Sequence, residues 1–296
     1  MKTTERPQPY VGISGVSESR PHEIGSHLTQ TWLLDQFIYA GLDDDTSPRS
    51  PYDRQPLFGV KATHKTQCLD VENKYGREWY PVGEEEFAIA LEDRGRQQAA
   101  QIYMEPELVT DDDYRDEFVA RICRRGKAWL NTLQFDMLPW HTDDTMLPFV
   151  ERVKQETGHT IILQAHSESM RQLGPDRVVH LLGKYAHALN YVLFDASHGK
   201  GVRMEPRALM PFLGAGYETP ELASVGFGVA GGLDAAAVRE DLPELLAEYQ
   251  DLSWDAEGKL HGYYPDGSCG LDWSAAKAYL EASGEVLRAL PRETVY

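Results

Sequence analysis

The segment YVLFDASHGKGVR, at residues 191–203, decides the fold of this chain when it is taken together with VGFGVAGGL at residues 225–233. Each is a short apolar run that stops at polar or glycine residues: Asp195 and a basic, glycine-bearing loop in the first, Gly231 and Gly232 in the second. Between them lies one helix-sized segment, so the pattern predicts two consecutive strand–loop–helix units. Strands joined in this way pair in parallel through right-handed crossovers. The two segments therefore predict an α/β fold.

Six more apolar runs have the length of strands, and each precedes a helix-compatible segment or a loop. They lie at residues 10–14, 57–61, 99–104, 132–136, 160–165 and 249–253. Eight strands alternating with helices favour a closed barrel over an open, doubly wound sheet. The sequence thus predicts a single (β/α)8 TIM barrel over residues 1–296, with an extended loop at residues 62–82 after the second strand. A loop at that place could act as a substrate lid or pack as a surface decoration.

The composition limits the kinds of partner that this chain can have. Its 296 residues include 47 acidic and 29 basic side chains, for a net charge of −18. That balance argues against binding to nucleic acid or to anionic membranes, which needs a basic surface. No apolar run approaches the roughly 20 residues that span a bilayer, and the N-terminus lacks the apolar core of a signal peptide. We expect a cytoplasmic protein with a small-molecule substrate, no cofactor and no bound metal; a homodimer is left open.

Polar residues that follow the strands indicate a site at the C-terminal rim of the barrel, where loops from several strands meet. Asp195 ends an apolar strand, so burial should raise its pKa toward the range of a general acid; capping the next helix is the alternative. Gly231 and Gly232 precede a helix start, where backbone amides can bind an anion, or they only form a tight turn. Lys61 could be a Schiff-base nucleophile, hold an anionic substrate group, or pair with an acidic neighbour.

Histidines supply the remaining candidates for proton transfer. An imidazole titrates near neutral pH, so His64 or His166 could serve as a base. Histidines could also approach carboxylates and form a metal site, although their spacing matches no recognised ligand signature. The histidines in question are His64, His141, His166 and His198, with Glu105, Asp136 and Glu168 as the nearby carboxylates. We therefore expect no metal.

Five short motifs occur in order along the chain: VGISGVS at 11–17, LQFD at 133–136, the segment 193–203, VAGGL at 229–233 and DLSWDAE at 251–257. They resemble the motifs of phosphoribosylanthranilate isomerase, the tryptophan-pathway barrel that performs an Amadori rearrangement. That family has V-K-I-C-G-[IL]-T, V-Q-L-H, L-L-D…G-G-[ST]-G, L-[AS]-G-G-L and D-V-S-S-G-V-E in the same order. The resemblance implies a (β/α)8 barrel in which Asp195 holds the position of the general acid.

Three positions depart from that family, and one of them is Gly12, which stands where the family's first motif has a lysine. Where the family has its catalytic cysteine, this chain has Ser14, whose hydroxyl has too high a pKa to remove a carbon-bound proton unaided. Where the family has a glycine that admits the substrate phosphate, this chain has Asp255, whose carboxylate would repel a phosphate. Asp255 is better suited to ribose hydroxyls, an amine or a cation. We predict that the chain does not isomerise phosphoribosylanthranilate; renewed growth of a complemented auxotroph lacking that isomerase would contradict this.

The sequence thus predicts an enzyme that acts on a small sugar-bearing or nucleotide-like metabolite by general acid–base chemistry, as an isomerase or at a glycosidic bond. The predicted catalytic residues are Asp195, His64 and His166. The predicted substrate-binding residues are Ser14, Lys61, Asp136, Arg203, Gly231, Gly232, Ser253 and Asp255. A Schiff-base aldolase built on Lys61 and a non-catalytic ligand-binding barrel are the alternatives.

Overall fold

Eight parallel strands form a closed barrel in the computed structural model of the chain, which describes residues 5–16, 29–41, 54–77, 79–91, 97–105, 110–143, 145–197, 201–263 and 269–290. The strands are β1 (Tyr10–Ser14), β2 (Gln55–Ala62), β3 (Gln97–Tyr103), β4 (Thr132–Asp136), β5 (Thr160–His166), β6 (Tyr191–Asp195), β7 (Gly226–Ala230) and β8 (Ser253–Ala256). Each strand pairs with the next in chain order, and β8 pairs with β1, where Val11 lies opposite Trp254. The predicted (β/α)8 barrel is confirmed.

Helices follow the strands and pack around the outside of the barrel. They are α1 (Thr29–Tyr39), α2 (His64–Gln67), α3 (Gly83–Leu91), α4 (Asp112–Gly126), α5 (Met146–Thr157), α6 (Ser167–Leu173), α7 (Pro175–Tyr185), α8 (Pro206–Glu218), α9 (Ala235–Leu246) and α10 (Trp273–Ala289). A short hairpin, β9 (His261–Tyr263) with β10 (Cys269–Leu271), lies between β8 and α10. None of the helices in the described ranges is long and apolar enough to cross a membrane.

The apolar core has one part inside the barrel and a larger part between the strands and the helices. The inner part consists of Tyr10, Leu57, Ala99, Ile162, Tyr191 and Leu193. Each of these is among the first three residues of its strand. The larger part explains why β1 and β6 are buried along their whole length, since barrel strands are covered on both faces. The apolar filling of the barrel therefore ends below the C-terminal rim and leaves that rim to polar side chains.

The eighth strand is the one whose predicted position was wrong: β8 begins at Ser253, where the predicted strand ended. Residues 247–252 form the turn after α9 instead, with the Tyr249 N–H bonded back to that helix and the Leu252 N–H bonded to Tyr249. β8 has only four residues, and Asp255 interrupts its apolar pattern. Because this acid faces the interior of the barrel, the strand lacks the apolar run by which the other strands can be recognised.

The segment between β2 and α3 contains the short helix α2, which is capped by Thr63. Farther along, Trp79 and Tyr80 come to the mouth of the barrel. The Trp79 ring stacks on His261 with a centroid separation of 4.5 Å. The role of this segment as a lid stays a prediction. The apolar stripe formed by Trp32, Leu33, Phe37 and Ala40 predicts a first helix that begins near residue 22; that start lies outside the described residues.

Candidate active site

A cavity of about 760 Å³ opens at the C-terminal ends of the strands. Its volume is in the range of small-molecule sites. Seven of the residues predicted from the sequence line it: Lys61, Asp136, His166, Asp195, Gly231, Gly232 and Asp255. They come from five strands and the loop after β7, and they converge because all parallel strands of a barrel end at one rim.

His166, the last residue of β5, lies between two carboxylates. Its Nε2 atom is 2.9 Å from Asp136 Oδ1, and its Nδ1 atom is 3.7 Å from Asp195 Oδ2. Burial alone would lower the pKa of the imidazole, but Asp136 and Asp195 together raise it to about 9. At neutral pH His166 is therefore an imidazolium, a group that can donate a proton.

The backbone after Asp136 gives the Nε2 atom of His166 a second partner. The Met137 N–H lies 3.0 Å from Nε2 and can donate to it only when that nitrogen carries no proton. Asp136 thus accepts from Nε2 when the ring is charged, and the Met137 N–H donates to Nε2 when the ring is neutral. His166 can therefore lose a proton without moving. Met137 has a φ of 61°, a left-handed backbone that is uncommon for a residue other than glycine and is concentrated at functional sites.

Asp195 does not have the raised pKa that its burial predicts. Burial raises the pKa of the carboxyl, but the His166 imidazolium 3.7 Å away and the hydrogen bonds from Ser197 outweigh it and lower the pKa to about 2. One oxygen accepts from the Ser197 N–H at 2.7 Å and from its hydroxyl at 2.8 Å, and the other accepts from the Gln164 amide at 2.9 Å. The expected general-acid pKa was therefore wrong. Asp195 is ionised at neutral pH, and the proton is on His166.

Three glutamines form a row of amides in the cavity, a feature that the sequence analysis missed. Gln101 on β3 lies opposite Gln134 on β4 in the strand register. Gln134 donates to Gln164 at 3.3 Å, and Gln164 donates to Asp195. The sequence does contain a signal for this row, a glutamine in each of three successive strands. A strand that is covered by apolar residues on both faces would not be expected to contain an amide side chain.

Lys61 on β2 forms an ion pair with Glu257, which follows β8. Its Nζ atom also donates to the Tyr80 hydroxyl at 3.1 Å and lies 5.0 Å from the centre of the Trp79 ring. Burial would lower the pKa of this ammonium, but Glu257 and Tyr80 raise it above the usual value. A Schiff-base nucleophile needs an uncharged amine, so the structure favours the ion-pair alternative for Lys61.

Asp255 on β8 and Ser14 on β1 form a buried hydrogen bond at the edge of the cavity. The Ser14 hydroxyl donates to Asp255 Oδ2 at 2.9 Å. Ser253 lies two residues earlier on β8 and accepts from the Tyr10 N–H at 3.0 Å, deep in the barrel. Of these three predicted binding residues, Asp255 lines the cavity, whereas Ser14 and Ser253 are buried behind its wall.

Gly231 and Gly232 line the cavity, and the packing around them favours a tight turn. Gly232 has a φ of 56°, and a Cβ atom there would lie 2.6 Å from Arg203 N, so the packing of the neighbouring loop requires glycine. The first amides of α9 are occupied by Asp234, whose side chain accepts from two backbone N–H groups at 3.0 and 2.9 Å. The tight-turn alternative accounts for the two glycines.

Two predicted residues lie away from the cavity, which corrects their assignment to it. Arg203 pairs with Asp241 and Glu240 on α9, with N–O distances of 2.6 Å to each, so its side chain is turned toward that helix although its backbone packs against Gly232. His64 opens α2 on the outer side of the barrel and packs against α4. Its Nδ1 atom is 3.0 Å from the Tyr114 hydroxyl.

No metal site is found in the described part of the chain, where no three His, Cys, Asp or Glu side chains are placed to share an ion. His198, one of the four histidines considered for such a site, lies outside the described residues. Of the other three, His166 lines the cavity, whereas His64 and His141 do not.

Comparison with known proteins shows similarity in structure but not in sequence. No protein-family model and no curated protein matches the chain. Phosphoribosylanthranilate isomerase from Thermotoga maritima matches at a TM-score of 0.51 and 10% identity, over 95% of this chain and 100% of that chain. Tryptophan synthase from M. tuberculosis matches at a TM-score of 0.52 and 12% identity, over 95% of this chain and 94% of that chain.

Rubisco from Pyrococcus horikoshii OT3 is a third structural match, with a TM-score of 0.51 and 14% identity. The match covers 96% of this chain but 59% of the Rubisco chain, so this chain spans less than two thirds of that enzyme. What the chain shares with these enzymes is the barrel fold. Identities this low show the fold alone and not the reaction.

Proposed function

We propose that the protein is an acid–base enzyme of the isomerase type, whose substrate is a small, hydroxyl-rich molecule without a phosphate group. The observation that carries this proposal is the His166 imidazolium between Asp136 and Asp195 in the wall of the cavity. General acid–base catalysis needs a group that gives up and regains a proton near the working pH. His166 satisfies this requirement, because Asp136 holds its charged form and the Met137 N–H holds its neutral form.

The charges in the cavity argue against a phosphate. Among the described residues, five acidic side chains line it, those of Glu105, Asp136, Asp195, Asp255 and Glu257, against Lys61, Lys65, Lys74 and the His166 imidazolium. The buried ammonium of Lys61 is already paired with Glu257, His166 lies between Asp136 and Asp195, and the amides at the start of α9 are occupied by Asp234. The excess of acids disfavours a phosphate dianion, but not an uncharged hydroxyl.

Amides and aromatic rings in the cavity suit a hydroxyl-rich ring. The Oε1 atoms of Gln101 and Gln134 are buried without a hydrogen-bond partner among the described residues. An unpaired buried acceptor costs about 1–3 kcal/mol, and a substrate hydroxyl that reaches it would remove that cost. At the mouth of the cavity Tyr75 stacks on Tyr80 at a centroid distance of 6.0 Å, with Trp79 beside them. These rings offer apolar faces to the C–H groups of a sugar.

Deuterium exchange tests this proposal. The purified protein is incubated in D₂O with aldopentoses, aldohexoses, the matching ketoses, their phosphates and aryl glycosides, and each mixture is followed by proton NMR. We expect an unphosphorylated sugar to lose the proton next to its carbonyl group and to give the isomer. The variant His166→Gln should not catalyse this exchange.

Three results would contradict the proposal in different ways. Deuterium exchange confined to the sugar phosphates would contradict the proposal that the substrate has no phosphate group. Release of the aryl group without exchange would point to glycosidic-bond chemistry, and no reaction with any compound would favour a non-catalytic barrel.

Lys61 should not form a Schiff base. Because Glu257 and Tyr80 hold its ammonium, borohydride added together with a carbonyl sugar should leave the mass of the protein unchanged. The control is Glu257→Gln, which removes the charged partner and should lower the pKa of Lys61 enough to permit trapping. A stable adduct on Lys61 of the wild-type protein, located by peptide mass spectrometry, would restore the aldolase alternative.

A further inference from the structure

Asp255 is a buried acid that has no role if His166 alone transfers protons. Its side chain lines the cavity, yet the residue is only 5% exposed. Ser14 donates to Oδ2, whereas Oδ1 has no hydrogen-bond partner among the residues that the structure describes. Buried polar atoms are almost always paired. An exception in the wall of a cavity indicates that the partner of Oδ1 is a group of the substrate.

Two glycines make the space for this carboxyl group. Gly12 lies opposite Asp255 in the register of β1 and β8, and a Cβ atom there would come within 2.6 Å of Asp255 Oδ1. Gly59 lies opposite Ser14 in the register of β1 and β2, and a Cβ atom there would come within 2.6 Å of the Ser14 hydroxyl oxygen. The pair of side chains therefore fits because both neighbouring positions lack a side chain.

The surroundings of Asp255 hold its proton more tightly than water does. Burial raises the pKa of this carboxyl to about 7; hydrogen bonding from Ser14 and Gln134 acts against burial, and the charges of Glu257 and Asp195 add to it. Among the described residues, the groups that act on the carboxyl are Ser14, Gln134, Asp195, Glu257, Tyr10 and Tyr279. None of these six is a cation. A carboxyl in such a place gains and loses a proton near neutral pH, as a general base must.

We propose that Asp255 is the second catalytic residue of the cavity, the base that takes a proton from the substrate while His166 delivers one. This inference rests on the function proposed above. The C–H bond next to the substrate carbonyl breaks, its proton goes to Oδ1 of Asp255, and its electron pair forms a C=C bond. The carbonyl oxygen takes the proton of His166, which gives an enediol.

The second half of the reaction restores both residues. Asp255 returns its proton to the former carbonyl carbon, and the neighbouring hydroxyl returns a proton to His166 as the new C=O bond forms. Aldose and ketose then differ only in the positions of hydrogens, and no oxidant or further reactant is needed. Ser14 is a positioning residue, because it holds the carboxyl by Oδ2 and leaves Oδ1 to the substrate.

The pH profile and two variants test this role, with the sugar that exchanges deuterium as the probe. Turnover should be highest between about pH 7, above which Asp255 is a carboxylate, and about pH 9, above which His166 loses its proton. Asp255→Asn should lower turnover at least about 100-fold without lowering the thermal midpoint, because it removes a buried charge. Ser14→Ala should move the acidic limb to higher pH, because the hydrogen bond from Ser14 lowers the pKa of Asp255; loss of a merely structural side chain would not produce that shift.

Asp241→Asn is the matched control, since Asp241 is a largely buried carboxyl that pairs with Arg203 away from the cavity. It should leave the profile unchanged. Full turnover in Asp255→Asn, or an acidic limb that Ser14→Ala does not move, would overturn the inference. Loss of turnover in His166→Gln alone would remove the role of Asp255 and keep the proposed function. Full turnover in both Asp255→Asn and His166→Gln, or the absence of any sugar that exchanges deuterium, would contradict the role of Asp255 and the proposed function together.

Discussion

His166→Gln should lower turnover by about 10²–10⁴-fold, the contribution that general acid–base groups make to enzymatic rates. Glutamine retains a polar side chain but cannot carry a proton, so Asp136 and Asp195 lose the group that they hold in its charged form. The loss should fall on kcat rather than on KM, because the wall of glutamines and aromatic rings stays in place. Steady-state kinetics on the sugar that exchanges deuterium measures it, with circular dichroism as the check on folding.

His187→Gln is the control for this variant. His187 lies on the surface just before β6, at the end of the barrel opposite the cavity, where its ring meets Glu151. Exposed pairs of this kind contribute little to stability, so kcat should equal that of the wild type. Equal losses in the two variants would show that His166 has no special part in the reaction.

The wild-type chain should lose about 3 kcal/mol of unfolding free energy through His166 as the pH rises from about 6.5 to about 9. The folded pKa of about 9 lies above the ordinary value of 6.5, because Asp136 and Asp195 favour the charged ring. The folded state therefore binds this proton more tightly than the unfolded state. The stabilisation is complete below pH 6.5 and is lost as the pH passes 9.

Urea unfolding of the wild type and of His166→Gln at a series of pH values isolates this effect. Asp255 also has a raised pKa, of about 7, so its contribution changes mainly between pH 3.8 and 7 and is present in both proteins. The stability advantage of the wild type over the variant should shrink by about 3 kcal/mol between pH 6.5 and 9.5. An advantage that stays constant with pH would show that the two carboxylates do not hold a proton on His166.

Strand boundaries could be predicted wherever a strand is apolar up to the rim. The runs at 10–14, 132–136 and 191–195 match β1, β4 and β6, because each ends at a polar residue: Ser14, Asp136 or Asp195. β8 could not be placed because Asp255 lies inside the barrel and breaks its pattern. The hairpin of β9 and β10 was missed because strands of three residues carry too little periodicity to be recognised.

The location of the site could be predicted, but not its pairings. Residues at the ends of parallel strands share one rim, which is why Lys61 and His166 both reach the cavity. Which acid meets which base depends on loops that are distant in sequence: Glu257, the partner of Lys61, is 196 residues away. Burial alone gave the wrong direction for the pKa of Asp195, because the His166 imidazolium and the hydrogen bonds from Ser197 outweigh it.

Nitrogen-15 NMR of the His166 ring is the most direct test of the claim that the cavity is organised around an imidazolium. In protein labelled at histidine, with the His166 signals assigned from their absence in His166→Gln, both ring nitrogens should stay protonated through neutral pH and titrate near 9. Asp136→Asn should move that titration to lower pH. A His166 ring that titrates at 6.5 or below in the wild-type protein would contradict the account.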